Sequence, residues 1–485
     1  MNKTRKEFIS NNILIFSIQI LVYIKGIFLM PLLIKNVGAT FYGGYALLIS
    51  TFGFIFGISS LGSGFKINRY LPSTQDLKKR KEIFYTAFYF NFFSILILSV
   101  VFTLFSGLFK QIFFKNSLEF TSSIIILALS GNLIHHYFTN YFRYTHRLVH
   151  YAAAAVIVPY LFILIVLFLV WKDKPITLNL LVISNFVSIT IPGCILIFLT
   201  AKEIGIWVKP NFKLLAEDIK VGSPLALNYV FDFVLSAGDR YVISYFLSIT
   251  AVAHYNPAYT LGSFIILVPK VLSAAVQPQL AKAFDGGDIE TVRKLMLYSL
   301  KLFIWLVLPF IAATALVSKP ILELLANKEI ASAANIITPV VSLGSLFYGL
   351  NLIQGFLLFL NLKTKEIFYV NVFSAFLNVI LNIIFISIFK NIIVAAFTTL
   401  ACYMITFFYI RSLIKKYITL DLSEIKFYVL KLVPVIAVWS VLLYYLNSGF
   451  QLNILIKVLI GFVLYLIMSV ISGVVNVKEF KIIKK

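Results

Sequence analysis

The sequence predicts an all-α integral membrane protein with about fourteen transmembrane helices. Three observations carry that prediction. Across 485 residues, 60% are hydrophobic and only 13% charged, with a mean hydropathy of +0.96, too apolar to furnish a water-facing surface around a buried core. Apolar runs long enough to cross a hydrocarbon layer as helices, roughly 20 residues each, recur along the chain with short polar connections between them. The alternating segments of about 10 residues that build a transmembrane barrel do not occur.

Runs and breaks place spans near residues 11–34, 43–64, 83–108, 118–138, 151–171, 177–200 and 222–246, then 254–281, 295–318, 335–360, 367–389, 391–410, 430–446 and 454–474. The first follows Lys3, Arg5 and Lys6, yet it is longer than a signal-peptide core and lacks a small-residue cleavage site, so it reads as a retained helix. The eighth is interrupted by Pro257, Pro269 and Pro278, and a bend is expected there.

The formal net charge of +23 raises the question of a nucleic-acid partner, which the positions of the cations answer. With the N-terminus inside, alternate connections collect the basic clusters: Lys78 to Lys81, Arg143 and Arg147, Lys202 to Lys220, Arg293 and Lys294, Lys363 and Lys365, Arg411 to Lys431, and Lys478 to Lys485. The opposite connections hold only Lys35, Lys110, Lys115, Lys172, Lys174, Lys319, Lys328 and Lys390. This asymmetry predicts that both termini are cytoplasmic, in the cell (cytoplasmic) membrane, and that the charge serves topology and anionic lipid headgroups, with no nucleic acid bound. Cys194 and Cys402 both fall within predicted spans and supply neither a disulfide nor a metal framework.

Comparison of the chain with itself at an offset of about 210 residues aligns Gly38 to Ala46 with Ile249 to Asn256, setting Tyr45 opposite Tyr255. The basic segment Thr74 to Glu82 then falls opposite Asp285 to Lys294, Tyr85 lies opposite Tyr298, and the two cysteines are nearly in register. Six spans separate the copies, an even number, so the halves would share one orientation and be related by an axis along the membrane normal. The expected organisation is a six-helix lobe in residues 1–208, a second in 209–420, and two additional helices with a basic tail in 421–485, with Ala201 to Val221 as the linker.

Ions inside the membrane cost about 2.5 to 3.5 kcal/mol on insertion scales, so those that remain normally face a cavity or each other. Lys25, Arg240, Lys270, Lys301 and Lys457 lie within predicted spans, with Asp232 and Asp239. Helix spacing sets Asn228, Asp232, Ser236 and Asp239 on one face of the seventh span, while Asn256, Thr260, Ser263, Lys270 and Gln277 make a polar stripe along the eighth. The first span adds Asn12, Gln19, Tyr23 and Lys25. Asn371, Ser374, Asn378 and Asn382 share a face of the eleventh, as cavity lining or as interhelical glue. Snorkelling suits Lys301 and Lys457, near helix ends. Asp239 and Arg240 form either an internal pair or a headgroup-level pair. Gly53 and Gly57 have the spacing of a close-packing helix notch. His135, His136, His146 and His150 cluster without a glutamate at metal-ligand spacing, so no metal site is expected, and no cofactor or catalytic constellation emerges.

These residues resemble the polysaccharide-export branch of the multidrug, oligosaccharidyl-lipid and polysaccharide flippase superfamily. The resemblance rests on Pro31 followed by Gly38, Tyr42, Gly43 and Tyr45; on Gly222 and Pro224; and on Asp239-Arg240-Tyr241, Ala253, Tyr255 and Pro278, and it covers most of residues 10–420. It implies two six-helix lobes around a cavity, and transport of a lipid-linked oligosaccharide on a polyprenyl phosphate or pyrophosphate carrier to the outer leaflet. It also implies cavity cations at Lys25 and Lys270, with Arg240 as a third. Glycan contacts are then expected at Asn228, Asn256 and Tyr259, and ion coupling or a gate at Asp232 and Asp239. His254 stands where relatives commonly have glycine. The expected partners are the lipid-linked glycan, membrane lipids and polysaccharide-synthesis proteins, with the chain itself a monomer. The alternatives are a cation-coupled multidrug exporter of the same superfamily, which the cationic bias of the cavity disfavours, and a membrane glycan polymerase, which the short external connections disfavour.

Overall fold

The computed structural model describes residues 3–72, 74–145, 147–206, 208–418, 421 and 423–474. His146 and the basic tail, with Lys478, Lys481, Lys484 and Lys485, lie outside the described residues, as do the side chains of Asn12, Gln19, Tyr23 and Lys66. The chain divides into two compact units, Met1–Ala253 and His254–Lys485.

The first unit contains α1 (Lys3–Val37), α2 (Ala39–Ser59), α3 (Phe65–Tyr70), α4 (Leu77–Phe109) ending in a π turn (Lys110–Phe114), α5 (Ile124–Tyr144), α6 (Leu148–Trp171), α7 (Leu178–Ile204), α8 (Phe212–Phe246) and the start of α9 (Ile249–Ser263). Only Gly38 separates α1 from α2, and its φ of 107° turns the chain where a side chain would be strained. Helices α1, α5, α6 and α7 pack together, while α8 lies on α2, α3, α4 and the π turn. That placement of α8 is why the compact-unit division falls at 253/254; the lobe boundaries at 208/209 and 420/421 remain an expectation from the repeat.

The second unit continues with a 3₁₀ turn (Phe264–Ile266), α10 (Leu267–Asp285), α11 (Ile289–Leu325), α12 (Lys328–Ala334), α13 (Ile337–Leu360), α14 (Thr364–Phe389), α15 (Ile392–Ile414), α16 (Ser423–Gly449) and α17 (Ile454–Ile471). Its core forms where Val292, Met296, Phe303 and Val307 of α11 meet Ile353 and Leu357 of α13. A Cβ at Gly349 would overlap the Phe303 ring, so the glycine lets these two helices close. Helices α16 and α17 dock on α11: the Tyr465 hydroxyl donates to the Trp305 carbonyl at 2.6 Å, and Trp305 Nε1 donates to Ser469 at 3.0 Å.

Eleven helices among the described residues are long and apolar enough to cross a membrane, or twelve with the bent α9–α10 pair as one span. The other two expected spans exist as α5 and α8, which fall short because α5 carries His135, His136 and Asn140, and α8 carries Asp232, Asp239 and Arg240. The expected bend is present, 41° between Ser273 and Val276, where the ring of Pro278 crowds the carbonyl four residues back.

Several connections are more helical than the sequence suggested. The expected linker Ala201 to Val221 is mostly α7 and α8, leaving 205–211 between them, because Asn211 caps α8 by accepting from the Leu214 amide at 3.0 Å. The segment Thr74 to Glu82 enters α4 at Leu77, capped by Asp76. The helix starts Ala39 and Ile249, Leu77 and Ile289, and Leu178 and Ile392 are 210, 212 and 214 residues apart.

Candidate functional site

Helix α8 is fixed within the first unit at both ends. Toward its C-terminus the Tyr241 hydroxyl shares a hydrogen bond with Thr51 at 2.8 Å, and its ring meets Phe113 edge-on. Ser244 donates to the Phe113 carbonyl, and Lys115 Nζ donates to the Leu247 carbonyl at 2.7 Å. Further along, Tyr229 donates to the Gly53 carbonyl at 2.9 Å with its ring over Gly57, so the Gly53–Gly57 notch is packing, as its spacing suggested. Nearer the start of α8, the backbones of Gly62 and Gly222 touch; Gly62 has a φ of 79°, and a Cβ on either would strike the other's carbonyl.

The candidate residues on α8 have different surroundings. Asp232 and Ser236 are exposed, Asn228 and Arg240 half-buried, and Asp239 buried. Asp239 accepts from the Arg240 amide at 2.8 Å, and Arg240 Nη1 donates to the Ser236 carbonyl at 3.2 Å, drawing the guanidinium back along its own helix. Lys25 of α1 is exposed and is an electrostatic neighbour of His135 on α5.

In the second unit Lys270 is exposed on α10, whereas Asn256 and Tyr259 of the preceding α9 are buried. Tyr259 packs against Tyr255 at 5.6 Å between ring centroids. Helix α9 closes on α13 at Gly262, whose carbonyl accepts from Ser342 at 3.2 Å. The polar stripe of the eighth span therefore divides into a packed half, with Asn256 and Tyr259, and an open half, with Lys270. Among the described residues, neither Lys25 nor Lys270 has a carboxylate within ion-pair distance. Below Lys270 on the same helix, Val268 with Ile265 borders an apolar groove of about 270 Å³, completed by Phe310 of α11, Trp439 of α16 and Phe462 of α17.

Lys301 and Lys457, for which snorkelling is an option, each have a partner. Lys301 forms an ion pair with Glu424 of α16 at 2.8 Å, and Lys457 is buried and donates to the Asn447 carbonyl at 2.7 Å. The asparagines of α14 are glue: Asn378 donates to Thr399 at 3.3 Å, Asn382 accepts from Thr398 at 2.5 Å, and Ser374 bonds Thr406 at 2.8 Å, all buried against α15. His254 Nε2 lies 3.3 Å from a Glu329 carboxylate oxygen of α12, a neighbour that the sequence comparison did not suggest. No cluster able to hold a metal ion occurs among the described residues.

One feature of the first unit escaped the sequence reading. A cavity of about 380 Å³ lies between α2, α4, α5 and α8, with His136, Asn140 and Tyr144 on its wall. Their spacing of four and four residues along α5, one face of a helix, is the signal the sequence carries for it.

A family profile described as polysaccharide biosynthesis protein matches residues 8–284, and one described as MatE matches 224–384. The chain belongs to the polysaccharide biosynthesis protein family, in the multidrug, oligosaccharidyl-lipid and polysaccharide flippase superfamily. Among solved structures, the fold is shared with the lipid II flippase MurJ in an inward closed conformation, at 19% identity over 96% of this chain and 98% of that one, with a TM-score of 0.69. An inward-facing multidrug resistance MATE family transporter matches at 14% identity over 83% and 96% of the two chains, TM-score 0.56. The MATE multidrug transporter DinF-BH matches at 15% over 85% and 95%, TM-score 0.54. No curated protein matches the chain in sequence.

Proposed function

We propose that the protein translocates a polyprenyl-(pyro)phosphate-linked oligosaccharide from the inner to the outer leaflet by alternating access, for cell-surface polysaccharide synthesis. Two observations in the second unit support this reading: Lys270 is exposed and has no carboxylate within ion-pair distance among the described residues, and an apolar groove is bordered by Ile265, Val268 and Phe310. A cation and an apolar channel in one unit suit an amphiphile whose head is anionic and whose tail is hydrocarbon. Lys25 supplies a second point charge on α1, and the bend at Ser273 to Val276 gives α10 a place to flex. Arg240 and Asn228 serve the same cargo from α8, Asn256 and Tyr259 support α9 from within its packing, and Asp232 with Asp239 couples an ion or holds a gate. In this reading the chain works as a monomer of two six-helix lobes plus two appended helices, in the cell membrane with both termini cytoplasmic, alongside polysaccharide-synthesis proteins and without nucleic acid.

The test is Lys25→Ala combined with Lys270→Ala, with membrane yield and thermal stability matched to the parent. Outer-leaflet delivery of the lipid-linked glycan should be abolished, and unaltered delivery would overturn the assignment. The match of residues 224–384 to the MatE profile favours a second reading, cation-coupled multidrug export using Asp232 and Asp239. Efflux of a cationic dye that is lost in Asp232→Asn and retained in the lysine variant would select it.

A further inference from the structure

The cavity on α5 has a chemistry of its own. Its floor is a closed network: Ser59 donates to Asn91 Oδ1 at 2.6 Å, Asn91 Nδ2 donates to the Tyr137 hydroxyl at 3.4 Å, and that hydroxyl donates to the Ala87 carbonyl at 3.2 Å. Above the floor the wall is only half satisfied. Asn140 Nδ2 donates to the His136 carbonyl at 2.8 Å, which aims the amide, while Asn140 Oδ1 receives no protein donor among the described residues. His136 is exposed to the cavity, its Nδ1 lies 3.3 Å from Asn140 Nδ2, and its Nε2 has no protein partner among the described residues. The Tyr144 hydroxyl has none either. His136, Asn140 and Tyr144, on one face of one helix, thus line the same space with polar atoms not taken up by protein partners among the described residues.

Aromatic rings supply the rest. Phe56 stands edge-on to His136 at 5.5 Å, and the Tyr229 ring, held by Gly53, leaves a face exposed. No Lys, Arg, Asp or Glu lines the cavity among the described residues. Arg143, at the end of α5, is instead laid over the rings of Tyr144 and Tyr151, with 5.9 and 5.7 Å to the centroids. Arg143 is an electrostatic neighbour of His136, while the lining among the described residues offers a metal ion or organic cation no carboxylate, and a hydrocarbon tail would meet polar atoms that cost free energy to bury unpaired. A neutral, polyhydroxylated ring matches the set: hydroxyls that both donate and accept meet an amide oxygen, an imidazole nitrogen and a phenol, and the C–H face of the ring rests on aromatic carbon. The volume falls within the range of small-ligand sites, about 300 to 1,000 Å³.

We infer that this cavity is a saccharide subsite, holding an uncharged sugar of the cargo through His136, Asn140 and Tyr144, separately from the lysines assigned to the phosphate; the inference rests on the proposed glycan cargo. To test it, Tyr144 is replaced by the photocrosslinker p-benzoylphenylalanine in the full chain, in cells fed a tritiated hexosamine or hexose. Irradiated membranes should yield the full-length protein carrying tritium, and adding Asn140→Leu should reduce that label at least tenfold. Asn140→Leu alone should lower glycan delivery at limiting cargo and recover it when cargo is raised, with the thermal midpoint unchanged. Tritium-free adducts, or adducts carrying only phospholipid detected by a 32P label, overturn the subsite. If delivery still fails in the Lys25 and Lys270 variant, the cargo assignment stands without the subsite; if the parent delivers no glycan at all, the cargo assignment itself has failed.

Discussion

Thr40 and Thr250 share a hydrogen bond at 2.7 Å, and they are separated by 210 residues, the offset that aligns Tyr45 with Tyr255. The pair places the start of α2 against the start of α9 within the first unit. Gly43 and Ala253, equivalent by the same offset, also face each other there: a Cβ on Gly43 would lie 3.1 Å from the Ala253 Cβ and collide with the Ile249 carbonyl. Because the obstacle includes backbone, Gly43→Ala should cost about 1 to 3 kcal/mol by overpacking. Thr40→Val should cost nearer 0.6 kcal/mol, roughly the average for membrane hydrogen bonds. Thermal unfolding in detergent ranks the two, and the reverse order would show that the backbone at Gly43 yields to the added methyl.

The buried amides of α14 give a contrast between structure and activity. Asn382→Leu takes from Asn378 Oδ1 its donor at 3.1 Å, a loss of about 1 to 3 kcal/mol for a stranded buried polar group, while the Thr398 hydroxyl keeps the Val394 and Ala395 carbonyls at 3.1 and 3.0 Å. Adding Asn378→Leu should return part of that loss in a double-mutant cycle. Cargo delivery per folded molecule should stay at the parent level in both, and a specific loss of delivery would make these residues cavity lining.

The attachment of the last two helices should depend on one buried phenol more than on one ion pair. Tyr465 is buried and donates to the Trp305 carbonyl at 2.6 Å, so Tyr465→Phe should cost about 0.5 to 1.5 kcal/mol. Glu424 is 55% exposed where it meets Lys301, and Glu424→Gln should cost about 0.2 to 1 kcal/mol, less as salt is added. Protease nicking between α16 and α17, followed against temperature, reports both.

At the entry to α11, the Thr291 hydroxyl and amide donate to Asp288 and hold its carboxyl below the ordinary value of 3.8. A folded-state pKa that is depressed gives stability present in full above the unfolded value and lost as the pH falls through the folded one. Asp288→Ala should therefore unfold at a lower temperature than the parent at neutral pH, with the difference narrowing below pH 3.8. A difference that held constant into acid would show that the carboxylate is not its source.

How much of this was legible in the sequence varied with the kind of physics involved. Apolar length announced most of the spans, and Pro278 announced the bend, because both act over one turn or one bilayer width. The shared face of Asn378 and Asn382 was visible too, although only the threonines of α15 show that it is glue. The partners of Lys301 and Lys457, Glu424 and the Asn447 carbonyl, were not legible because they are chosen by packing of helices distant in sequence or by a reversal between them. The row of His136, Asn140 and Tyr144 was written in the sequence at helical spacing, but the hollow that gives it meaning is made by Gly57, Gly62 and Tyr229 from other helices. Nothing local to α5 encodes that space.

The touching backbones of Gly62 and Gly222 bear on how such a hollow could open. Side chains that interdigitate act as teeth, and two helices locked by them must lift apart before they slide. Bare peptide against bare peptide has no teeth; each pair of atoms contributes only about 0.1 to 0.2 kcal/mol of dispersion, and the next register offers nearly the same. At this end of the seam the loop after α2 and the helix α8 meet without side chains between them, and the side-chain contacts that fix their register are those of Tyr229 and Tyr241 farther along.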